Sequence, residues 1–248
     1  MDSIAGGQIQ GARQSQQDTF SYLEWKEKHY LMILADGIGG AAGGKIAADT
    51  AVTEFKKTFI SDELNPSIRE RLINALQAAN DALYNEKQEH NKISPMGGTT
   101  LIGAVVVEHQ FYWISVGDSP LWLVRGRNMI RLNEDHSIGG ILDKRAQAGE
   151  ISWEEAKSSD QRNYLLSAVL GSDIDHVDAP NDPIQLYSGD VLIIASDGIE
   201  TCSTNEIVEI VTAGRPSAHD IVEVLLESVD KMKRPKQDNA SLIVYRYR

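Results

Sequence analysis

The sequence predicts an α+β fold, a four-layer αββα sandwich in which two packed, mainly antiparallel β-sheets are flanked by helices. Three observations predict it. Strand-like runs follow one another after very short polar turns, such as Glu108-His109-Gln110 and Ser188-Gly189-Asp190, and connections that short force antiparallel pairing. Two of the runs, Leu101-Ile102-Gly103-Ala104-Val105-Val106-Val107 and Val191-Leu192-Ile193-Ile194-Ala195, do not alternate with polar residues, so both of their faces must be covered. Segments with one apolar helical face supply the outer layers.

Taken in order, the first strand is expected at Tyr30 to Ala35. Ile46, Ala47, Ala51, Phe55 and Phe59 then share one helical face, and Ile68, Leu72, Leu76, Ala79 and Leu83 share another, opened by Asn65-Pro66-Ser67. Further strands are expected at Thr100 to Val107, Phe111 to Val116, Leu121 to Arg125, Ile184 to Tyr187 and Val191 to Ala195. Ser203-Thr204-Asn205-Glu206 before Ile207 is the capped start of a short helix. Ile221, Leu225 and Val229, at steps of four, mark one more helix, and Ser241 to Tyr245 forms the last strand.

No repeat, low-complexity tract or linker interrupts the 248 residues, which read as a single domain, 1–248. Hydrophobic residues at 42% and charged residues at 24% fit a soluble globular protein. No apolar run reaches the roughly 18–20 residues that span a bilayer. The start, Met1-Asp2-Ser3-Ile4-Ala5-Gly6-Gly7, lacks the basic and apolar regions of a signal peptide. A single cysteine, Cys202, forms no internal disulfide, which fits the reducing cytoplasm. The net charge of −12 excludes a nucleic-acid binder, which needs a basic stripe to replace counterions at phosphates. That acidic excess serves either solubility or a site whose carboxylates are neutralised by cations.

Four segments end a strand-like or turn-like run in aspartate: Leu34-Ala35-Asp36-Gly37, Ser115-Val116-Gly117-Asp118, Ala195-Ser196-Asp197-Gly198 and Lys236-Gln237-Asp238-Asn239. Each alone reads as a turn, because Asp-Gly and Asp-Asn are favoured turn pairs. As a group they read differently, since strands of one sandwich deliver their ends to one edge. Carboxylates gathered there repel one another unless protonated or bound to cations. Oxygen-only donors with no His or Cys cluster point to Mg²⁺ or Mn²⁺. Glycine after Asp36 lets the backbone come close enough for its carbonyl to serve as a ligand.

A competing reading comes from Gly39-Gly40-Ala41-Ala42-Gly43-Gly44-Lys45, which nearly spells the phosphate-binding loop of an NTPase. Ile46 stands where Ser or Thr should hold Mg²⁺, and antiparallel hairpins do not suit the parallel sheet of that fold.

In chain order, Arg13-x-x-x-Gln17-Asp18, Asp36-Gly37-Ile38-Gly39-Gly40, Gly97-Gly98-Thr99-Thr100, Val116-Gly117-Asp118-Ser119, Asp135-His136-Ser137, Ser196-Asp197-Gly198 and Asp238-Asn239 resemble the motifs of PPM/PP2C-type metal-dependent protein serine/threonine phosphatases. The resemblance covers about Arg13 to Asn239 and is nearest to the compact bacterial members. It implies the same sandwich fold and hydrolysis of phosphoserine and phosphothreonine in proteins by a metal-activated water. It implies two Mn²⁺ or Mg²⁺ ions and a third. Asp36 would bridge two ions with the Gly37 carbonyl on the second, Asp197 and Asp238 would complete the first, and Asp118 would hold the third. Arg13 would bind the substrate phosphate, and Gln17 and Asp18 would orient waters around the metals. The stretch from about 138 to 164 would be a flap beside the site. The implied partners are phosphorylated protein substrates and an opposing Hanks-type kinase, and the expected state is a cytoplasmic monomer.

A cation pair lowers the pKa of bound water and shields phosphoryl charge, while a guanidinium forks onto phosphate oxygens. No protein nucleophile is needed, and Cys202 lacks the downstream arginine of cysteine phosphatases. Two departures from the family pattern bear on the chemistry. Gln17 replaces a common glutamate, which weakens the second metal site, and Ile38 replaces the histidine that serves eukaryotic members as general acid. A degenerate binding module would keep the fold and lose catalysis, but Asp36, Asp118, Asp197 and Asp238 are all retained. His136 reads as structural, Thr99 and Thr100 either support the metal loops or begin a strand, and Ser119 and Asp173 could approach the site, with nothing local to assign them. Trp153, inside the flap, is the one tryptophan singled out from packing.

Overall fold

The computed structural model describes residues 3–90, 97–214 and 216–248; Met1 and Asp2, part of the signal-peptide reading and of the 1–248 range, lie outside them. Along the chain the strands are β1 (Ile4–Ile9), β2 (Thr19–Lys26), β3 (His29–Ala35), β4 (Gly37–Ile38), β5 (Gly98–Thr99), β6 (Leu101–Val107), β7 (Gln110–Val116), β8 (Leu121–Arg125), β9 (Asn128–Arg131), β10 (Ile184–Gln185), β11 (Val191–Ala195) and β12 (Ala240–Arg246). The α-helices are α1 (Ala41–Ser61), α2 (Ile68–Asn85), α3 (Ile138–Gln147), α4 (Trp153–Ser158), α5 (Thr204–Thr212) and α6 (Ala218–Lys231).

Two five-stranded sheets result, in the orders β1-β12-β11-β8-β9 and β10-β7-β6-β3-β2. Every strand pairing in them is antiparallel. The parallel sheet of a phosphate-loop NTPase is therefore absent among the described residues, and the glycine-rich run instead leads into α1 behind Gly40.

The side-chain period of two explains the layering. On β6, Ile102, Ala104 and Val106 turn inward and meet Leu121, Leu123, Leu192, Ile194 and Ile243 of the other sheet. Leu101 and Val105 turn outward beneath Phe55 and Phe59 of α1 and Leu72, Leu76 and Leu83 of α2. Gly103 leaves room for the Phe55 ring, whose Cζ lies 2.2 Å from where a Cβ would stand. On the far side, Val191, Ile193, Leu242 and Val244 pack beneath Ile221, Leu225 and Val229 of α6 and Ile207 and Val211 of α5. Each such fully buried side chain contributes roughly 1.5–3 kcal/mol. The central strands are thereby locked on both faces, and their ends are fixed relative to one another. Helices α5 and α6 begin in capping boxes, Ser203 with Glu206 and Ser217 with Asp220. No helix of the described residues is long and apolar enough to cross a membrane.

Candidate active site

Antiparallel order brings the predicted aspartates to one edge of the sandwich. β3 and β7 both flank β6 in antiparallel fashion, so they run the same way and end together, placing Asp36 and Asp118 on that edge. Ala195 of β11 pairs with Leu242 of β12, which places Asp197, just past one strand, beside Asp238, just before the other. Contact there is close enough that a Cβ on Gly198 would lie 2.0 Å from the Asn239 carbonyl oxygen. Gly37 is equally confined, with a would-be Cβ 2.2 Å from the Gly44 carbonyl oxygen at the start of α1.

These strand ends open into a polar cleft of about 540 Å³, lined by Arg13, Gln17, Asp36, Gly37, Asp118, Asp197 and Asp238. Asn163 and Leu165, at the end of the segment expected to be the flap, line it from the other side. Asp18 is fully buried behind the cleft, where it accepts a hydrogen bond from Ser196 Oγ at 2.8 Å. Thr99 and Thr100 brace Asp36. Thr99 Oγ1 donates to the Asp36 carbonyl at 2.8 Å, and the Asp36 N–H donates to Thr100 Oγ1 at 3.0 Å. Arg13 Nη2 donates to Asp238 Oδ2. Gln17 turns its amide nitrogen to the Gly40 carbonyl at 2.8 Å, tying the first loop to the start of α1.

The electrostatics are those of carboxylates crowded in a low-dielectric edge. Burial pushes the Asp36 carboxyl well above the usual range, and Asp18, Asp197, Asp118 and Asp238 push it further. Asp197 is raised for the same reason, by burial first and then by Asp118, Asp238, Glu200 and Asp18. Burial, reinforced by Asp135, lifts Asp118 to about 6. Asp18 is raised by burial, which the hydrogen bond from the Ser196 hydroxyl opposes. Asp197 Oδ1 is buried with no hydrogen-bond partner. An unpartnered buried carboxylate oxygen is costly, and a cation relieves that cost together with the mutual repulsion. Among the described residues no group of three or more Asp, Glu, His or Cys side chains is placed to hold a metal ion by itself. Open coordination suits Mg²⁺ and Mn²⁺, which take few carboxylates each and keep water in the remaining positions.

Arg131 escaped the sequence reading, while Ser119 and His136 now have defined places. The Arg131 guanidinium donates to the Asp118 carbonyl, and Ser119 Oγ lies 2.8 Å from Thr100 Oγ1. His136 Nδ1 accepts from the Gly117 N–H at 3.3 Å, so it braces the turn before Asp118. Asn239 binds the loop that carries Arg13. Asn239 had a signal, its place beside Asp238, but Asp-Asn is also an ordinary turn pair. Asp173 lies elsewhere, in a groove against α2 with Arg69 and Asn80.

An αββα sandwich with hard oxygen donors around an open polar cleft suits a protein that works with divalent cations. A family model described as protein phosphatase 2C matches residues 6–237. Protein phosphatase PhpP of Streptococcus pneumoniae is 30% identical over 217 residues, 86% of this chain and 85% of that protein. The PPM Ser-Thr phosphatase MsPP from Mycobacterium smegmatis, solved in complex with cacodylate, is 28% identical with a TM-score of 0.78, over 99% of this chain and 98% of that chain. The catalytic domain of the phosphatase PstP, solved with 2 manganese ions, shares the fold at 21% identity and a TM-score of 0.79, over 98% of this chain and 96% of that one. The chain belongs to the protein phosphatase 2C family and is a metal-dependent serine/threonine protein phosphatase.

Proposed function

We propose that the edge carrying Asp36, Asp118, Asp197 and Asp238 is the catalytic metal centre, and that Arg13 receives the phosphate of a phosphoserine or phosphothreonine side chain. The observation that carries this reading is the convergence of these carboxylates, with Asp197 Oδ1 buried and unpartnered, around one polar cleft. Asp36, the Gly37 carbonyl, Asp197 and Asp238 hold two ions, Mn²⁺ or Mg²⁺, and Asp118 holds a third. PstP, which shares the fold, was solved with 2 manganese ions, in keeping with a pair of ions here. Bound there, such ions supply an acidified water and neutralise charge on the phosphoryl group.

The chain's own groups do the rest. Arg13 sits on a loop at the mouth of the cleft, where its fork can bind two phosphate oxygens and align phosphorus for in-line attack. Asp18, behind the centre on Ser196, orients water, and Gln17 holds the loop over Gly40. Ile38 lines the cleft and has no proton to give the leaving alkoxide, so that proton comes from water. The whole chain acts as one catalytic domain, a cytoplasmic monomer that reverses a serine/threonine kinase, with the 138–164 segment flanking the substrate.

Hydrolysis of p-nitrophenyl phosphate and of a phosphothreonine peptide, with Mn²⁺ and with EDTA, tests the reading. Release of phosphate that needs the metal and falls to near background in Asp36→Ala and Asp197→Ala is the expected result. Release from ATP alone, indifferent to both substitutions, would sink it.

A further inference from the structure

Asn239 follows Asp238 and is almost fully buried, yet none of its polar atoms is idle. Its Oδ1 accepts from the Gln17 N–H at 2.8 Å, and its Nδ2 donates to the Gln10 carbonyl at 2.8 Å and the Ser15 carbonyl at 3.0 Å. Those three backbone groups bracket Arg13 on both sides. One side chain thus closes the ends of the loop that presents the guanidinium. The rest of the loop leans on the same strand entry. The Ala12 N–H donates to the Gln237 carbonyl at 2.8 Å, and Gly11, at φ 63°, sits so close that a Cβ would lie 2.3 Å from the Asp238 carbonyl oxygen. Only an amide fits the three partners, because the site asks for one acceptor and two donors on a short planar group. A carboxylate would face two carbonyl oxygens, and a hydrocarbon would leave three buried backbone groups unpaired.

We infer that Asn239 is the positioning residue of the phosphate clamp: it fixes the Arg13 loop against the strand that carries Asp238, so that guanidinium and carboxylates keep one spacing. The inference rests on reading Arg13 as the clamp. Asn239 also lines the cleft, but its side-chain amide is fully engaged by the loop, so it acts through the position it gives Arg13.

The test measures KM and kcat for a phosphothreonine peptide, Ki for inorganic phosphate, Mn²⁺ affinity by calorimetry and Tm in Asn239→Ala, Asn239→Asp, Arg13→Ala and the Arg13→Ala/Asn239→Ala double variant. Loss of position raises KM and Ki about tenfold in either Asn239 variant with a smaller change in kcat, while Mn²⁺ affinity stays within about twofold. In the Arg13→Ala background the Asn239 substitution changes KM no further, because its only route of action is gone. If Asn239→Ala fails to fold, Asn239→Asp, which keeps the volume and the acceptor for Gln17, carries the same measurements. A lowered Tm and weakened Mn²⁺ binding with unchanged KM and Ki would overturn the inference, as would additive losses in the double variant. An unchanged KM and Ki in Arg13→Ala would instead overturn the clamp reading, and this inference with it.

Discussion

Replacing Asp118 by asparagine removes a proposed metal ligand and should raise stability in the absence of metal, by an amount that follows from the site. In the fold the Asp118 carboxyl titrates at about 6, against an ordinary 3.8, because burial and Asp135 disfavour its charged form. At about 1.36 kcal/mol per pH unit, that displacement corresponds to about 3 kcal/mol at most. Part of the cleft is open to solvent, so about half of it, roughly 1.5 kcal/mol, is the working figure. The sign follows from linkage. A carboxyl raised in the fold binds its proton more tightly when folded, so its stabilising effect is complete below about 3.8 and is lost as pH rises through about 6. Above pH 7 the wild-type chain in EDTA carries the full cost and Asp118→Asn does not. For a chain of this size the variant should melt about 3–6 °C higher at pH 7.5 in EDTA. The gap should shrink as pH falls and close below about 4. Excess Mn²⁺ should reverse the order, because the ion compensates the wild-type carboxylate. Thermal unfolding by circular dichroism across pH, with and without Mn²⁺, reads all three effects. A variant no more stable than wild type at pH 7.5, or a gap independent of pH, would refute the reasoning.

Two further changes probe the loop and the core. Gln17→Glu adds a carboxylate at the cleft and removes the donor that holds the Gly40 carbonyl, so Mn²⁺ binding should tighten while Tm in EDTA falls; an unchanged metal titration would contradict this role for position 17. Gly103→Val drives a side chain into the Phe55 ring and should cost about 1–3 kcal/mol with KM unchanged, as denaturant unfolding and peptide kinetics will show.

The parts of this fold that were legible in the sequence are those buried on both faces. The runs in β3, β6, β7, β8, β11 and β12 carry unbroken apolar residues and lie within a residue or two of their expected places. The strands β1 and β2 were not legible, for a physical reason. Both are edge strands, paired on one side only, and β1 contains Gly6 and Gly7, which read as loop. Those glycines are there for close packing: a Cβ on Gly6 would meet the Phe20 ring at 2.7 Å, and one on Gly7 would meet Val222 at 2.8 Å. At Ile184 to Tyr187 only Ile184–Gln185 pairs, short because β10 is also an edge. The 138–164 segment, expected only as a flap, contains α3 and α4, and Trp153 at its second helix is half exposed. The aspartates were legible because four strand ends repeat one residue type. Thr99, Thr100 and His136 were legible only as supports, and the partners of Asn239, Ser196 and Arg131 were not, since these act through contacts between residues distant in the chain.

The central claim is that Asp36, Asp197 and Asp238 share the catalytic ions, and anomalous diffraction from Mn²⁺-loaded crystals tests it most directly. Two strong manganese peaks in the cleft, both ligated by Asp36 and one also by Asp197 and Asp238, with a weaker peak at Asp118, are the predicted result. Peaks that leave Asp36 and Asp197 without a metal, in crystals of active enzyme, would contradict it.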